Sequence, residues 1–219
     1  MPELLDTFSI EGEHTGNQEK KAMHQQMQKE FFETGKVSIR HKDVKLLLLT
    51  GNGRVVLQRR SKWKGDNPGK WDKTVGGHIE SGDSADLTML KECAEELGIP
   101  ATIVKTDEFE QTLKITDLNV LGILTRLTYL DNFQSKRELA NGQIWTEPSM
   151  TQFYIGYYDG AIRFIDKESC GIQVFTKEEL ENELQSYPDA FTEDVRYILS
   201  KFHDNIKPVT GKRKHELNY

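Results

Sequence analysis

Gly77-His78-Ile79-Glu80-Ser81-Gly82-Asp83, followed after seven residues by Lys91-Glu92-Cys93-Ala94-Glu95-Glu96-Leu97-Gly98-Ile99, decides how this chain is read. A glycine loop opens a segment with carboxylates at i, i+3 and i+4: Glu92, Glu95 and Glu96. On a helix they share one face. Leu87, Leu90, Ala94 and Leu97 fall on the opposite face and form the expected core stripe. Gly98 suits the position after the last turn and Pro100 stops the helix, so the predicted span is about Ser84 to Leu97. Like charges at this spacing repel by about 0.2–0.5 kcal/mol per pair, and a cation relieves that best. Clustered oxygen donors suit Mg2+ or Mn2+, ions commonly used to handle a diphosphate. A solvated acidic helix face is the competing reading of the carboxylates taken alone.

Upstream, Gln58 to Lys73 gathers Arg59, Arg60, Lys62, Lys64, Lys70 and Lys73 in a protein of net charge -6 and pI about 5.6. A basic strand-to-loop segment leading into a carboxylate helix suits a polyphosphate: a metal bridges some oxygens and Arg or Lys holds the remaining charge. Arg59, Arg60, Lys64 and Lys73 are therefore substrate-binding candidates. An ordinary basic surface loop competes for each of them singly. Trp63 is a candidate for stacking on a substrate, and Trp71 reads as packing.

The 219 residues fit one domain with extensions. The acidic balance argues against a general nucleic-acid surface. No apolar run approaches the roughly 18 residues of a membrane span. Met1-Pro2-Glu3-Leu4-Leu5-Asp6 lacks the basic and apolar regions of a signal peptide. Cys93 and Cys170 give neither a disulfide framework nor a zinc spacing, and Cys93 reads as a small apolar residue. The expected setting is cytoplasmic.

Residues 1–35 read as an N-terminal arm, a hairpin with a glycine turn and then a helical stretch from Lys20 to Glu33. Residues 36–206 form the main domain. Val44 to Leu49 and Val55 to Gln58 are a strand–turn–strand pair. Lys73 to Gly77 should be extended, and Ala101 to Thr106, Phe109 to Ile115, Val120 to Leu130, Phe153 to Tyr158 and Gln173 to Phe175 read as strands. Polar residues 131–151 read as an insertion or long loop. Thr176-Lys177-Glu178-Glu179 is a capping box opening a helix near Lys177 to Gln185, Phe191 to Phe202 is a second terminal helix, and residues 207–219 read as a disordered tail.

The spacing from Gly77 to Ile99 closely resembles the Nudix box, G-x5-E-x7-R-E-U-x-E-E-x-G-U with U apolar. Asp83 replaces the first Glu, Lys91 the Arg and Cys93 an aliphatic residue. The resemblance implies an α/β/α sandwich: a mixed curved sheet with the N-terminal arm and C-terminal helices. It implies a metal-dependent hydrolase of a diphosphate linked to another moiety, a nucleoside diphosphate derivative or similar. Glu92, Glu95 and Glu96 would hold Mg2+ or Mn2+ with a main-chain carbonyl near Gly76 or Gly77. Glu92 is then the best candidate general base, Lys91 would pair with and orient a carboxylate, and Asp83 would support the loop. Glu168 is a candidate remote carboxylate, with a surface Glu as the competing reading.

Leu57-Gln58-Arg59-Arg60-Ser61, Pro68-Gly69-Lys70-Trp71-Asp72 and Gly77-His78 extend the likeness, over about residues 3–100, to the Nudix subgroup related to isopentenyl-diphosphate isomerase. That likeness implies that histidines near His24, at His41 and at His78 help hold a second metal with an acid, a surface residue being the preferred reading of His24, and that the isomerase's acidic residue on the strand after the insertion aligns at or near Gln152. The isomerase cysteine, however, falls at Gly76, and the hydrolase carboxylates Glu92 and Glu95 are retained. Loss of the cysteine removes one member of the acid–base pair that isomerisation needs. An isomerase-like enzyme, a non-catalytic ligand-binding module and an RNA-decapping role are the alternatives. The arm is expected to serve assembly or a lid rather than the chemistry, and a homodimer is expected.

Overall fold

The computed structural model describes residues 2–165 and 168–211. Its spine is β3 (Ile39–Leu49), whose side chains alternate between two cores as the period of a strand requires. Val44, Leu46 and Leu48 meet Met89, Cys93 and Leu97 of α2 (Ala85–Leu97) on one face. Leu47 and Leu49 meet Leu180 of α4 (Lys177–Ser186) and Val195, Ile198 and Phe202 of α5 (Glu193–Phe202) on the other. Each such side chain, once buried, contributes about 1.5–3 kcal/mol, so the two-sided apolar pattern of β3 sets the three-layer α/β/α arrangement.

The mixed sheet runs β10 (Ser169–Phe175), β4 (Val55–Arg60), β3, β9 (Ile144–Tyr157), β8 (Gly122–Glu138) and β7 (Ala101–Ile103). β3 pairs in parallel with β9, His41 opposite Ser149 and Leu49 opposite Tyr157. On its other side β3 pairs antiparallel with β6 (Val75–His78) through Asp43–Leu46 and with β4 through Leu48–Leu49. The short β5 (Trp71–Asp72) pairs with β4. Among the described residues no helix is long and apolar enough to cross a membrane.

Several expectations need correction. Phe109 to Ile115 is not a strand but part of α3 (Thr106–Ile115): Asp107 and Glu108 sit in its first turn, and Phe109 and Leu113, one turn apart, reach the core. Residues 131–151 are not a loop. They complete the long β8–β9 hairpin, in which Ser135, Arg137 and Glu147 are buried. Polar side chains on an inward face read from sequence as solvent-facing.

The core stripe of α2 is also displaced. Leu87 is 48% exposed and Ala94 is exposed, whereas Thr88, Met89, Cys93, Glu96 and Leu97 are buried. The arm is not separate either. β1 (Leu4–Ser9) pairs with β2 (His14–Glu19) on one edge and, at Phe8–Arg40, with β3 of the same chain on the other. α1 (Lys20–Thr34) packs Met23 and Met27 against Leu5 and Trp145. At the other end, Lys207 and Val209 are tied down, by the Tyr157 hydroxyl donating to the Lys207 carbonyl at 2.8 Å and by Val209 N–H donating to Gly51. Residues 212–219 of the expected tail lie outside the described residues.

Candidate active site and metal centre

The site begins with two glycines. An ideal Cβ at Gly77 would lie 2.0 Å from Glu92 Oε1, and one at Gly76 would lie 2.3 Å from Lys73 Cε. Side chains on β6 would collide with the groups that now fill this space, so only glycine lets α2 and Lys73 come this close. The Glu92 carboxyl is pushed up to about 7, chiefly by burial, with Glu95 adding to the effect against Lys20. Glu96, 4% exposed, accepts a hydrogen bond from Gln58 Nε2 at 3.1 Å, and Glu95 is exposed at the helix surface. Ser84 caps α2, its hydroxyl accepting from Leu87 N–H. Lys91 donates to Glu80 and Asp83 at 3.3 and 3.2 Å, which braces the loop ahead of the helix.

These carboxylates line a cavity of about 660 Å3 together with Lys20, Lys45, Arg60, Lys64, Lys73 and Arg137. Arg60 donates to Asp72 at 3.1 Å and Asp66 at 2.8 Å, and Lys64 pairs with Glu168. Lys73, 6% exposed, lies 3.0 Å from Asp194 and 3.3 Å from Asp72. Asp194 also accepts from Lys45 at 2.8 Å and from the Ser135 hydroxyl at 2.6 Å. Buried charges persist only when paired in this way.

Two residues expected in the site lie elsewhere. Arg59 points away, donating to the Gly69 carbonyl and stacking over Trp71. Trp63 is 84% exposed and lies outside the cavity wall.

A second group sits at one end of the cavity. One ligand atom from each of His24, His41, His78 and Glu147 lies within 4.8 Å of the others. Glu147 accepts from or faces His24 Nε2 at 2.9 Å and His41 Nε2 at 3.3 Å, and it pairs with Arg137 at 2.7 Å. Burial opposes the Glu147 charge, but Arg137 and the two histidines outweigh it and hold the carboxyl well below its usual range. Burial, with His41 and His24 adding to it, holds His78 well below an ordinary imidazole, so it is neutral at pH 7 and its ring can offer a lone pair.

Three imidazoles and one carboxylate, convergent, with His41 and Glu147 buried and His24 and His78 half-buried, fit a divalent transition ion. The box carboxylates are less convergent: Glu92 lies against Gly77, Glu96 is tied to Gln58, and Glu95 reaches outward.

His24 is thus not a bystander, and the acid that joins the histidines is Glu147, while Gln152, at the position of the isomerase's acid, donates to the Thr128 and Phe153 carbonyls. The register explains Glu147, because β9 runs parallel to β3 with Ser149 beside His41. The signal for His24 lies in its neighbours: Met23 and Met27 mark the buried side of α1. Asp194, Lys45 and Arg137 meet their partners across different elements, which no local sequence pattern signals.

Comparison with known proteins agrees with this construction. The family model described as NUDIX domain matches residues 39–195. An uncharacterised Nudix hydrolase of Yersinia pestis is 38% identical over 61 residues, 28% of this chain and 34% of that protein. An isopentenyl-diphosphate Delta-isomerase of Streptomyces griseus is 31% identical over 101 residues, 46% of each chain. The chain thus spans about a third to a half of these relatives. A crystal structure from Deinococcus radiodurans superposes with TM-score 0.61 at 18% identity, covering 91% of this chain and 98% of that one, which shows the fold. With the box helix seated on its two glycines and the family model covering most of the chain, the protein belongs to the Nudix family.

Proposed function

We propose that the protein hydrolyses a diphosphate linked to another moiety. The observation that carries this reading is one cavity that sets Glu92, Glu95 and Glu96 opposite Arg60, Lys64 and Lys73. Glu92, Glu95 and Glu96, with a main-chain carbonyl of Gly76 or Gly77, would hold Mg2+ or Mn2+; His24, His41, His78 and Glu147 would hold a second ion, for which Mn2+ suits the nitrogen-rich donor set. Such ions lower the pKa of bound water and polarise phosphoryl oxygens.

The protein's own groups supply the rest. Glu92, held against Gly77, accepts the proton of the attacking water as its oxygen bonds to phosphorus and the bridging P–O bond breaks. Arg60, Lys64 and Lys73 take up the charge on the non-reacting oxygens and the departing phosphate. Asp83 and Lys91 hold the loop before the helix. A cytoplasmic homodimer is the expected setting for this chemistry.

The test is cleavage of a panel of nucleotides, nucleotide sugars and isoprenoid diphosphates with Mg2+ or Mn2+, read by chromatography of the phosphate and phosphomonoester products. Glu92→Gln and Glu96→Gln should each lower turnover by at least 100-fold, within the range of lost acid–base catalysis, while the far-UV circular dichroism stays unchanged. Turnover unchanged in both variants would refute the assignment. Isomerisation of isopentenyl diphosphate is not expected from the wild type, nor from Gly76→Cys, because Lys73 Cε occupies the space where that thiol would sit.

A further inference from the structure

Building on the diphosphate-hydrolase reading, we infer that the moiety carried by the diphosphate is a small hydroxyl-rich group, a sugar or polyol, rather than a nucleobase or a prenyl chain. The cavity wall gives the first reason. Among the described residues its apolar side chains are Val44, Leu139 and Trp145, and charged groups enter from several elements: Lys20 on α1, Asp43 and Lys45 on β3, Arg137 on β8. A base face or a prenyl chain laid against these groups would strip their water and return no hydrogen bonds, which opposes binding. Hydroxyls both donate and accept, so they can meet carboxylates and cations on the same wall.

The second reason is the lack of a stacking platform within that wall. Trp63 stands outside it, and Trp71 packs edge-on against Phe175, 6.2 Å between ring centres, in the core below α5. The histidine rings face one another at 4.7–5.5 Å. Trp145, the indole that does line the wall, is 2% exposed and packed among Leu5, Met23 and Met27, so it offers no open face to a purine or pyrimidine. The third reason is Lys73. Its stem fills the space beside Gly76 and its ammonium group pairs with Asp194, so this stretch of the wall presents charge rather than an apolar surface.

Matched probes test this on the full chain loaded with Mn2+: ribose 5-diphosphate, ADP, which carries the same sugar diphosphate with a base, and isopentenyl diphosphate. Calorimetry reads binding and phosphate release reads turnover. Ribose 5-diphosphate should bind and be hydrolysed at least tenfold better, in kcat/KM, than either of the others. ADP or isopentenyl diphosphate matching or exceeding it, or no binding of ribose 5-diphosphate, overturns the inference while leaving the hydrolase reading to its own panel. Preferential binding of ribose 5-diphosphate without phosphate release upholds the inference and refutes the hydrolase reading.

Discussion

At the scale of single residues, the chemistry of this protein depends on what two glycines leave out. Gly77→Ala would place a methyl group 2.0 Å from Glu92 Oε1 and 2.6 Å from its Cγ. The Glu92 side chain is the part that can move, so the fold should persist while the carboxylate is displaced. Turnover is expected to fall by about 100-fold, the scale of a misplaced catalytic group, with the melting temperature within a few degrees of wild type. Full activity in Gly77→Ala would show that this contact does not position Glu92. Asp72 carries a second prediction. Burial raises its carboxyl, but Lys73 first and Arg60 next outweigh that and bring it from 3.8 down to about 2. Its folded pKa thus lies below the unfolded one, so its stabilising contribution is complete above about pH 5 and is lost as pH falls through 4 toward 2. The contribution is on the order of 2 kcal/mol. Melting temperature measured from pH 7 to pH 2 should be level above pH 5 and fall below pH 4. Asp72→Asn should be less stable at pH 7 and flatter in acid, and an identical acid slope in the variant would assign that fall to other groups.

At the scale of elements, α1 has two jobs at once: Met23 and Met27 cover Leu5 and Trp145, and the same turn presents His24 to His41, His78 and Glu147. Stability and ion binding are therefore coupled through one helix. Met27→Ala should cost about 2–5 kcal/mol, as loss of a buried side chain does, and should also weaken Mn2+ binding because the turn bearing His24 loses its seat. Denaturant unfolding and Mn2+ titration of the same preparation check both halves, and a destabilised variant with unaltered Mn2+ affinity would separate the helix from the centre. The β8–β9 hairpin plays the matching part on the other side, with Glu147 and Arg137 buried along its inward face and Ser135 reaching Asp194 on α5.

At the scale of the whole molecule, an ion bound only by the folded state stabilises it by RT ln(1 + [L]/Kd), about 2.7 kcal/mol at one hundred times Kd. The ligands of the histidine centre come from α1, β3, β6 and β9, so Mn2+ should raise the melting temperature of the entire domain in a single transition, and His78→Ala should remove that part of the rise. Two separate transitions, only one of them sensitive to Mn2+, would contradict a single cooperative unit. The sequence by itself determined the box helix, its glycine loop and its carboxylates as metal-binding candidates, and the resemblance carried by that box implied the family and the layered α/β fold. The box is a local feature: it rests on spacing along one loop and one helix, and residues within a few positions of each other carry its signal. Tertiary structure alone decided that the arm belongs to the domain, that residues 131–151 are strand, that His24 and Glu147 meet His41 and His78, and that Asp194 holds Lys45 and Lys73. Each of these unites residues up to about 150 positions apart, and a polar side chain facing inward toward a distant partner has the same local sequence signature as one facing water.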